Sequence, residues 1–454
     1  MSRELTGLAR CSVVLVTSVM SGVTGCGSSG SNGAADSLST GSGGTTNVTS
    51  GGTTTVIHTT GGTSAHVGGT ATSGGTATSG GTRFDRGGAS SATAGGSSSV
   101  TGGTSATTGG NGSDTRGTTA SAGNHNTSQR FIFGPYKDTT INLDWNTNII
   151  TTRVSGSPVA LVTDATTAGA KAVTLAFATG ECGSENWGGV SGAAMAKANV
   201  SMFDAANLDY ILSTGGASGV FTCGSDSGFS TFIERWASAH LVGIDFDIEA
   251  GQTQTVITDL IRRIRAAHDS YPALRFSLTL ATLGNNDGAT TAHSLGAAVA
   301  DSLNTYGAQA LGAVKSILGW TSPATFPSYL TVNLMTMDYG ATSPGNCVVN
   351  AGACDMGQSA IQAAYNLHDR WEVPFSNIEL TPMIGGNDTT NEHFTLTDVD
   401  TLMQFAAAQA LAGVHYWSYD RDVDCPPGSA SPTCNTLGGV GTLGFLARFL
   451  AVRR

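Results

Sequence analysis

Charge is what this chain has least of. Only 12% of its 454 residues are Asp, Glu, Lys or Arg, about half the share of an ordinary soluble domain. The basic sign is the scarcer one: 21 Lys and Arg stand against 32 Asp and Glu, a net charge of −11. Nucleic-acid binding uses basic surface to neutralise phosphate, so this balance argues against such a partner. No apolar run approaches the ~20 residues of a membrane-spanning helix. No C-x-x-C pair or cysteine with a neighbouring His occurs, so the common zinc patterns are missing and neither metal nor cofactor is implied.

Glycine is in excess, at 63 residues. The excess is concentrated at 27–128, which is almost wholly Gly, Thr, Ser and Ala, with repeats such as Ala71-Thr72-Ser73-Gly74-Gly75-Thr76 and Ala77-Thr78-Ser79-Gly80-Gly81-Thr82. Such a stretch has no periodic apolar face to offset its ordering entropy. It reads as a disordered low-complexity linker, with an end-to-end distance of roughly 55 Å. Ahead of it, Arg3 and Arg10 precede a short apolar run at 11–16, and small residues close the segment at 21–26. Residues 1–26 therefore read as a signal peptide. Val23-Thr24-Gly25-Cys26 resembles a bacterial lipobox. That resemblance implies acylation of Cys26 and an exported protein held by lipid at the cell surface or outer membrane, with plain secretion as the alternative. Each buried acyl CH₂ adds about 0.8 kcal/mol of membrane affinity.

Residues 129–454 are long enough to bury a core as one domain. Short β-branched, apolar runs recur at 131–136, 172–178, 210–214, 241–249, 276–281, 331–337, 378–383 and 414–419. Helical patterns lie between them. One is 255–268, where Val256, Leu260, Ile261 and Ile264 share a face; the last is 443–450. Eight alternating units predict an α/β fold, a (β/α)₈ TIM barrel, acting as a monomer. In that architecture chemistry sits at the C-terminal ends of the strands.

The fourth run ends in Asp245-Phe246-Asp247-Ile248-Glu249. Side chains alternate along a strand, so the three carboxylates share one face at about 6.8 Å intervals. They would point into an interior usually filled by Val, Ile and Leu. Burying unpaired charge is costly, which weakens a structural explanation. Calcium needs more oxygen ligands than one strand offers. Acid–base chemistry remains: Glu249, outermost, as proton donor, with Asp247 beside it raising its pKa and Asp245 deeper, sharing a proton with Asp247.

These residues resemble glycoside hydrolase family 18, the chitinase family. Its D-x-x-D-x-D-x-E segment aligns with Val242-Gly243-Ile244-Asp245-Phe246-Asp247-Ile248-Glu249, and its S-x-G-G with Ser213-Thr214-Gly215-Gly216. Its M-x-Y-D aligns with Met335-Thr336-Met337-Asp338, and the Trp of its eighth strand with Trp417. The resemblance implies a substrate-assisted retaining hydrolysis of β-1,4-linked N-acetylglucosamine chains such as chitin. In it the sugar's own 2-acetamido carbonyl attacks the anomeric carbon, so no carboxylate nucleophile is needed. Glu249, Asp247 and Asp245 would be catalytic, with Asp338 and Trp417 binding substrate. Two positions depart from the family: Val242 replaces an Asp, and Met337 replaces a Tyr whose hydroxyl holds the acetamido group. Tyr339 and Tyr419 are the candidates to replace that hydroxyl. The same motifs serve endo-β-N-acetylglucosaminidases acting on N-glycans. A non-catalytic sugar-binding lipoprotein is the third reading, disfavoured because Glu249 is present.

Six cysteines follow the linker, an even number that suits disulfides in an exported protein, with 15 pairings open. Cys347 with Cys354 and Cys425 with Cys434 would close short loops, while Cys182 and Cys223 would join neighbouring ones. His240, just before the fourth run, reads as a packed helix-end residue. Trp145, Trp187 and Trp320 fit either sugar stacking or the core.

Overall fold

The computed structural model describes residues 130–452. The signal peptide, Cys26 and the linker expected over 1–128 lie outside the described residues. Eight parallel strands form the sheet: β1 Ile132–Asp138, β2 Ala172–Ala178, β3 Asp209–Gly215, β4 Leu241–Ile248, β5 Arg275–Ala281, β6 Leu330–Thr336, β7 Ile378–Pro382 and β8 Gly413–Tyr416. Each pairs with its sequence neighbours, and β1 pairs with β8 to close the barrel.

One helix follows each strand. They are α1 Leu161–Thr167, α2 Gly192–Ala206, α3 Asp226–Arg235, α4 Gln254–Ser270, α5 Thr305–Leu318, α6 Met356–Trp371, α7 Leu396–Gln409 and α8 Gly444–Val452. The fold is the expected (β/α)₈ barrel. Caps set the helix starts: the Thr253 side chain accepts from Val256 N, and Thr395 and Asp398 form a capping box on α7.

Strand alternation sorts the side chains. Ile244, Phe246 and Ile248 of β4 face outward into the helix-covered core and are all but completely buried. The inward side is layered along the barrel axis. At the N-terminal end Ile132, Ala172, Ile211 and Val242 make a separate apolar plug; a register shift between Leu241 and Gly243 breaks the alternation of β4 there. Above it Arg275 of β5 bonds Glu379 of β7 at 2.8 Å, and His415 of β8 bonds the same carboxylate at 3.1 Å. The pairing of β5 with β7, which are not neighbours, runs through the barrel interior. Higher still comes a hydroxyl-rich layer around Asp245.

The loops at the C-terminal face carry the three disulfides, Cys182–Cys223, Cys347–Cys354 and Cys425–Cys434. The first ties the segment after β2 to the one after β3. Trp187 and Trp320 belong to the core, whereas Trp145, 58% exposed, stands on the excursion between β1 and α1.

Candidate active site

A cleft of about 260 Å³ opens at the C-terminal face, with Asp247, Glu249, Asp338 and Trp417 among its lining residues. Three of the four motifs read in the sequence therefore meet at one place. The fourth supports them from behind. Gly215 has φ +92°, and a Cβ there would lie 2.2 Å from the Asp247 carbonyl oxygen; at Gly216, with φ +80°, it would lie 2.9 Å from the Phe177 ring. The two glycines let β3 approach β4 and the cleft wall more closely than any side chain allows.

Asp245 lies below the cleft and is 1% exposed. Its Oδ1 accepts from Ser277 and Thr279, and its Oδ2 from Ser213 and Tyr136, at 2.6–3.1 Å. Burial raises its pKa, and the hydroxyl donors oppose that rise. Its hydrogen bonds go to these four hydroxyls, and Asp247 feels it through its charge. Its place is to support the layer below.

Asp247 is buried on the inward face, and its Oδ1 has no donor in the protein unless the neighbouring Glu249 carboxyl is protonated. Burial raises its pKa strongly, and the charges of Glu249 and Asp245 push it further. Glu249, just past the end of β4, is also raised, first by burial and then by Asp338. A hydrogen bond with Asp247 and the Ala217 N–H pull the other way. The arrangement is two carboxyls competing for one proton at the floor of an open cleft, which titrate as a pair.

Asp338 sits past β6 in a left-handed turn, φ +50°. The following segment of β7 holds that turn: Asp338 N donates to Asn387 Oδ1, Thr389 N donates to Asp338 Oδ1 at 3.0 Å, and Tyr339 N donates to Glu392 Oε2 at 3.0 Å. Glu392 is buried there with its pKa pushed up to about 7, chiefly by burial. Trp417 stacks on Phe177 with ring centroids 5.6 Å apart and 21° between planes, and the Tyr136 ring lies 6.1 Å from it, tilted by 54°.

The two tyrosines named as replacements for the missing hydroxyl do not reach the cleft. Tyr339 is buried behind the Asp338 turn, and the Tyr419 hydroxyl is spent on Asp164 at 2.7 Å. Both side chains turn into the packed surround of the loops, and neither lines the cleft. Met337 does line the cleft, beside Met335 and Met383. Tyr136 is the tyrosine of the lining, and its hydroxyl joins Asp245, Thr279 and Asn333. Sequence reasoning missed Tyr136, Phe177, Asp138 and Asp388. The first three sit at the ends of strands that had been placed, so strand-end position was an available signal; Asp388 lies in a loop with no pattern of its own. His240 bonds Asp209 at 2.9 Å, away from the cleft. Among the described residues one group has metal-ligand spacing, Glu181, Cys182 and Cys223, and its sulfurs are bonded to each other.

No protein-family model matches the chain. Over 105 residues it is 33% identical to a protein of Escherichia coli (strain K12) described as a probable bifunctional chitinase/lysozyme. That match covers 20% of this chain and 11% of the other, so the chain spans about a tenth of the length of the relative it matches. Among solved structures, the chain is similar to the catalytic domain of a hyperthermophilic chitinase from Pyrococcus furiosus, with a TM-score of 0.51 and 23% identity over 71% of this chain and 95% of that one. Catalytic-site mutants of active domain 2 of a thermostable chitinase from the same organism, complexed with chito-oligosaccharides, give 0.51 and 22% over 71% and 94%. At these identities the likeness is one of fold.

Proposed function

We propose that this chain is a glycoside hydrolase that cleaves β-1,4-linked N-acetylglucosamine chains such as chitin, with the substrate's own acetamido group as nucleophile. The observation that carries the reading is the Asp247–Glu249 pair: two carboxyls with raised pKa at the floor of an aromatic-walled cleft. A glycosidic oxygen is a poor leaving group, and Glu249, whose pKa burial and Asp338 raise, is placed to give it a proton. As the Glu249 proton passes to the leaving oxygen, Asp247 would accept the acetamido N–H in its place, turning the carbonyl toward the anomeric carbon. That attack is intramolecular and gains several kcal/mol from positioning. Glu249, now ionised, would then deprotonate the incoming water. Trp417 would carry the sugar face, and Asp338 a hydroxyl at the rim.

The similarity to a chitinase fold observed with chito-oligosaccharides supports the same substrate class. The reading extends to a tether: an exported enzyme anchored through Cys26, with 27–128 as spacer and 129–454 as catalytic domain. The test is inhibition by a thiazoline analogue of the N-acetylglucosamine intermediate, together with turnover of fully deacetylated chitosan. Inhibition that weakens in Asp247→Asn, with no cleavage of the deacetylated polymer, is expected. A covalent sugar trapped on an Asp or Glu would refute the mechanism.

A further inference from the structure

Asp338 reaches the cleft from a backbone conformation that an aspartate seldom adopts, φ +50°, and Gly340, two residues on, has φ +89°. A non-glycine residue persists there only where its surroundings fix it. The fixing group lies outside the cleft lining. Glu392 is 1% exposed, and its Oε2 accepts from Tyr339 N at 3.0 Å. The N–H groups of Gly340 and Asp338 also favour its carboxylate. Three successive backbone N–H groups thus meet one carboxylate, which binds such donors more strongly than a neutral acceptor does.

Glu392 is itself held in place. It belongs to a short antiparallel hairpin in which Gly385 pairs with Phe394 and Gly386 with His393. Inside the hairpin Asn387 N donates to the Glu392 carbonyl, and Glu392 N to that of Thr389. Gly386 N donates at 2.9 Å to the carbonyl of Asn435, the neighbour of Cys434 in the third disulfide. The hairpin is therefore braced, and the Glu392 side chain carries that bracing to the turn at the end of β6. The charged groups around the turn are Asp338 itself, Asp388 on the hairpin, Arg421 of the turn after β8 and Asp398 of α7. Asp388 and Arg421 act on Asp338, and Asp398 acts on Tyr339. The charge of this turn that raises Glu249 is that of Asp338.

We propose that Glu392 is a positioning residue for the reaction: by holding the turn at 338–340 it keeps the Asp338 carboxylate at the cleft, and so sets how firmly Glu249 keeps its proton. This rests on the hydrolase reading above and adds to its site a residue that touches no substrate.

The test is the pH profile of kcat/KM on chito-oligosaccharides, measured with the full chain. In Glu392→Ala the turn loses its acceptor and Asp338 its place, so the pKa of Glu249 falls and the alkaline limb moves to lower pH. A limb displaced by roughly one unit lowers kcat/KM about tenfold at a fixed pH beyond it. Glu392→Gln keeps one acceptor oxygen and should recover most of that loss. Asp338→Asn/Glu392→Ala should be displaced no further than Asp338→Asn alone, because both changes act through one carboxylate. Should Glu392→Ala fail to fold, Glu392→Asp, which keeps the charge but stops one methylene short of Tyr339 N, is expected to move the limb in the same direction. A limb that stays put in the Ala or Asp variant, or displacements that add in the double variant, overturns the inference and leaves the hydrolase reading standing. Wild type that cuts no chito-oligosaccharide at any pH overturns both.

Discussion

Glu249 is the residue on which the proposed chemistry turns. Glu249→Gln keeps its shape but removes the titrating proton. Turnover on chito-oligosaccharides should fall by roughly 10²–10⁴ or more, with binding retained. A variant keeping a tenth of wild-type turnover would show that another group gives the proton. The pH profile adds a signed test. The acid must be protonated, so kcat/KM falls as pH rises through the elevated pKa of Glu249. Asp338 contributes to that elevation, so Asp338→Asn should move the alkaline limb to lower pH; a limb that stays put contradicts the electrostatic account. At this scale the sequence was informative where residues lie on a strand with a period. Asp245 and Asp247 were legible because alternation along β4 puts them on one face, and Glu249, the first residue past its end, lines the same cleft as Asp247. Tyr339 and Tyr419 were misplaced because both lie past the strand ends, where the chain turns and period-two reasoning no longer says which way a side chain points.

Among the elements, β2 was placed to the residue, and the start of β4 and the end of β5 likewise. The eighth strand is shorter than expected: it stops at Tyr416, and Tyr419–Arg421 form a single 3₁₀ turn. Apolar content runs through that turn because Tyr419 packs into the core, so hydrophobicity alone could not mark the end. The buried Arg275–Glu379–His415 layer was not legible at all, since its members come from three strands and meet only across the barrel. Its contribution has a definite pH window. Burial pushes the Glu379 carboxyl up, but Arg275, His415 and Thr331 together outweigh it, and its pKa is lowered to about 2 from 4.5. The folded-state value is depressed, so the stabilisation is present above about pH 4.5 and is lost as pH falls toward 2. Glu379→Gln strands Arg275 in the interior and should cost about 3–5 kcal/mol at neutral pH. Denaturant melts should show the gap between wild type and variant narrowing below pH 4.5, and a gap independent of pH would contradict the assignment. The disulfides differ by loop length. Cys182–Cys223 closes a separation of 41 residues against 7 and 9 for the others. Chain entropy assigns it about 4 kcal/mol and each short one about 2.5 kcal/mol. Paired Ser substitutions, compared by thermal melts, should destabilise in that order.

For the whole molecule, the composition split between 27–128 and the remainder reads as a reach device, with anchor and catalyst separated. On that proposal Cys26→Ser releases the protein from the membrane fraction without reducing its activity, and wild type that partitions into the aqueous phase of a detergent separation contradicts it. The barrel itself supplies the rest of the account: a polar interior stacked under one strand end, with two carboxyls whose pKa burial raises and an aromatic wall beside them. The measurement that tests this most directly is the anomeric form of the first product released from chito-oligosaccharides by the full chain, followed by NMR before mutarotation. Substrate assistance predicts the β-anomer at the new reducing end, through two successive inversions. An initial α-anomer, or oligosaccharides left intact, would contradict the account.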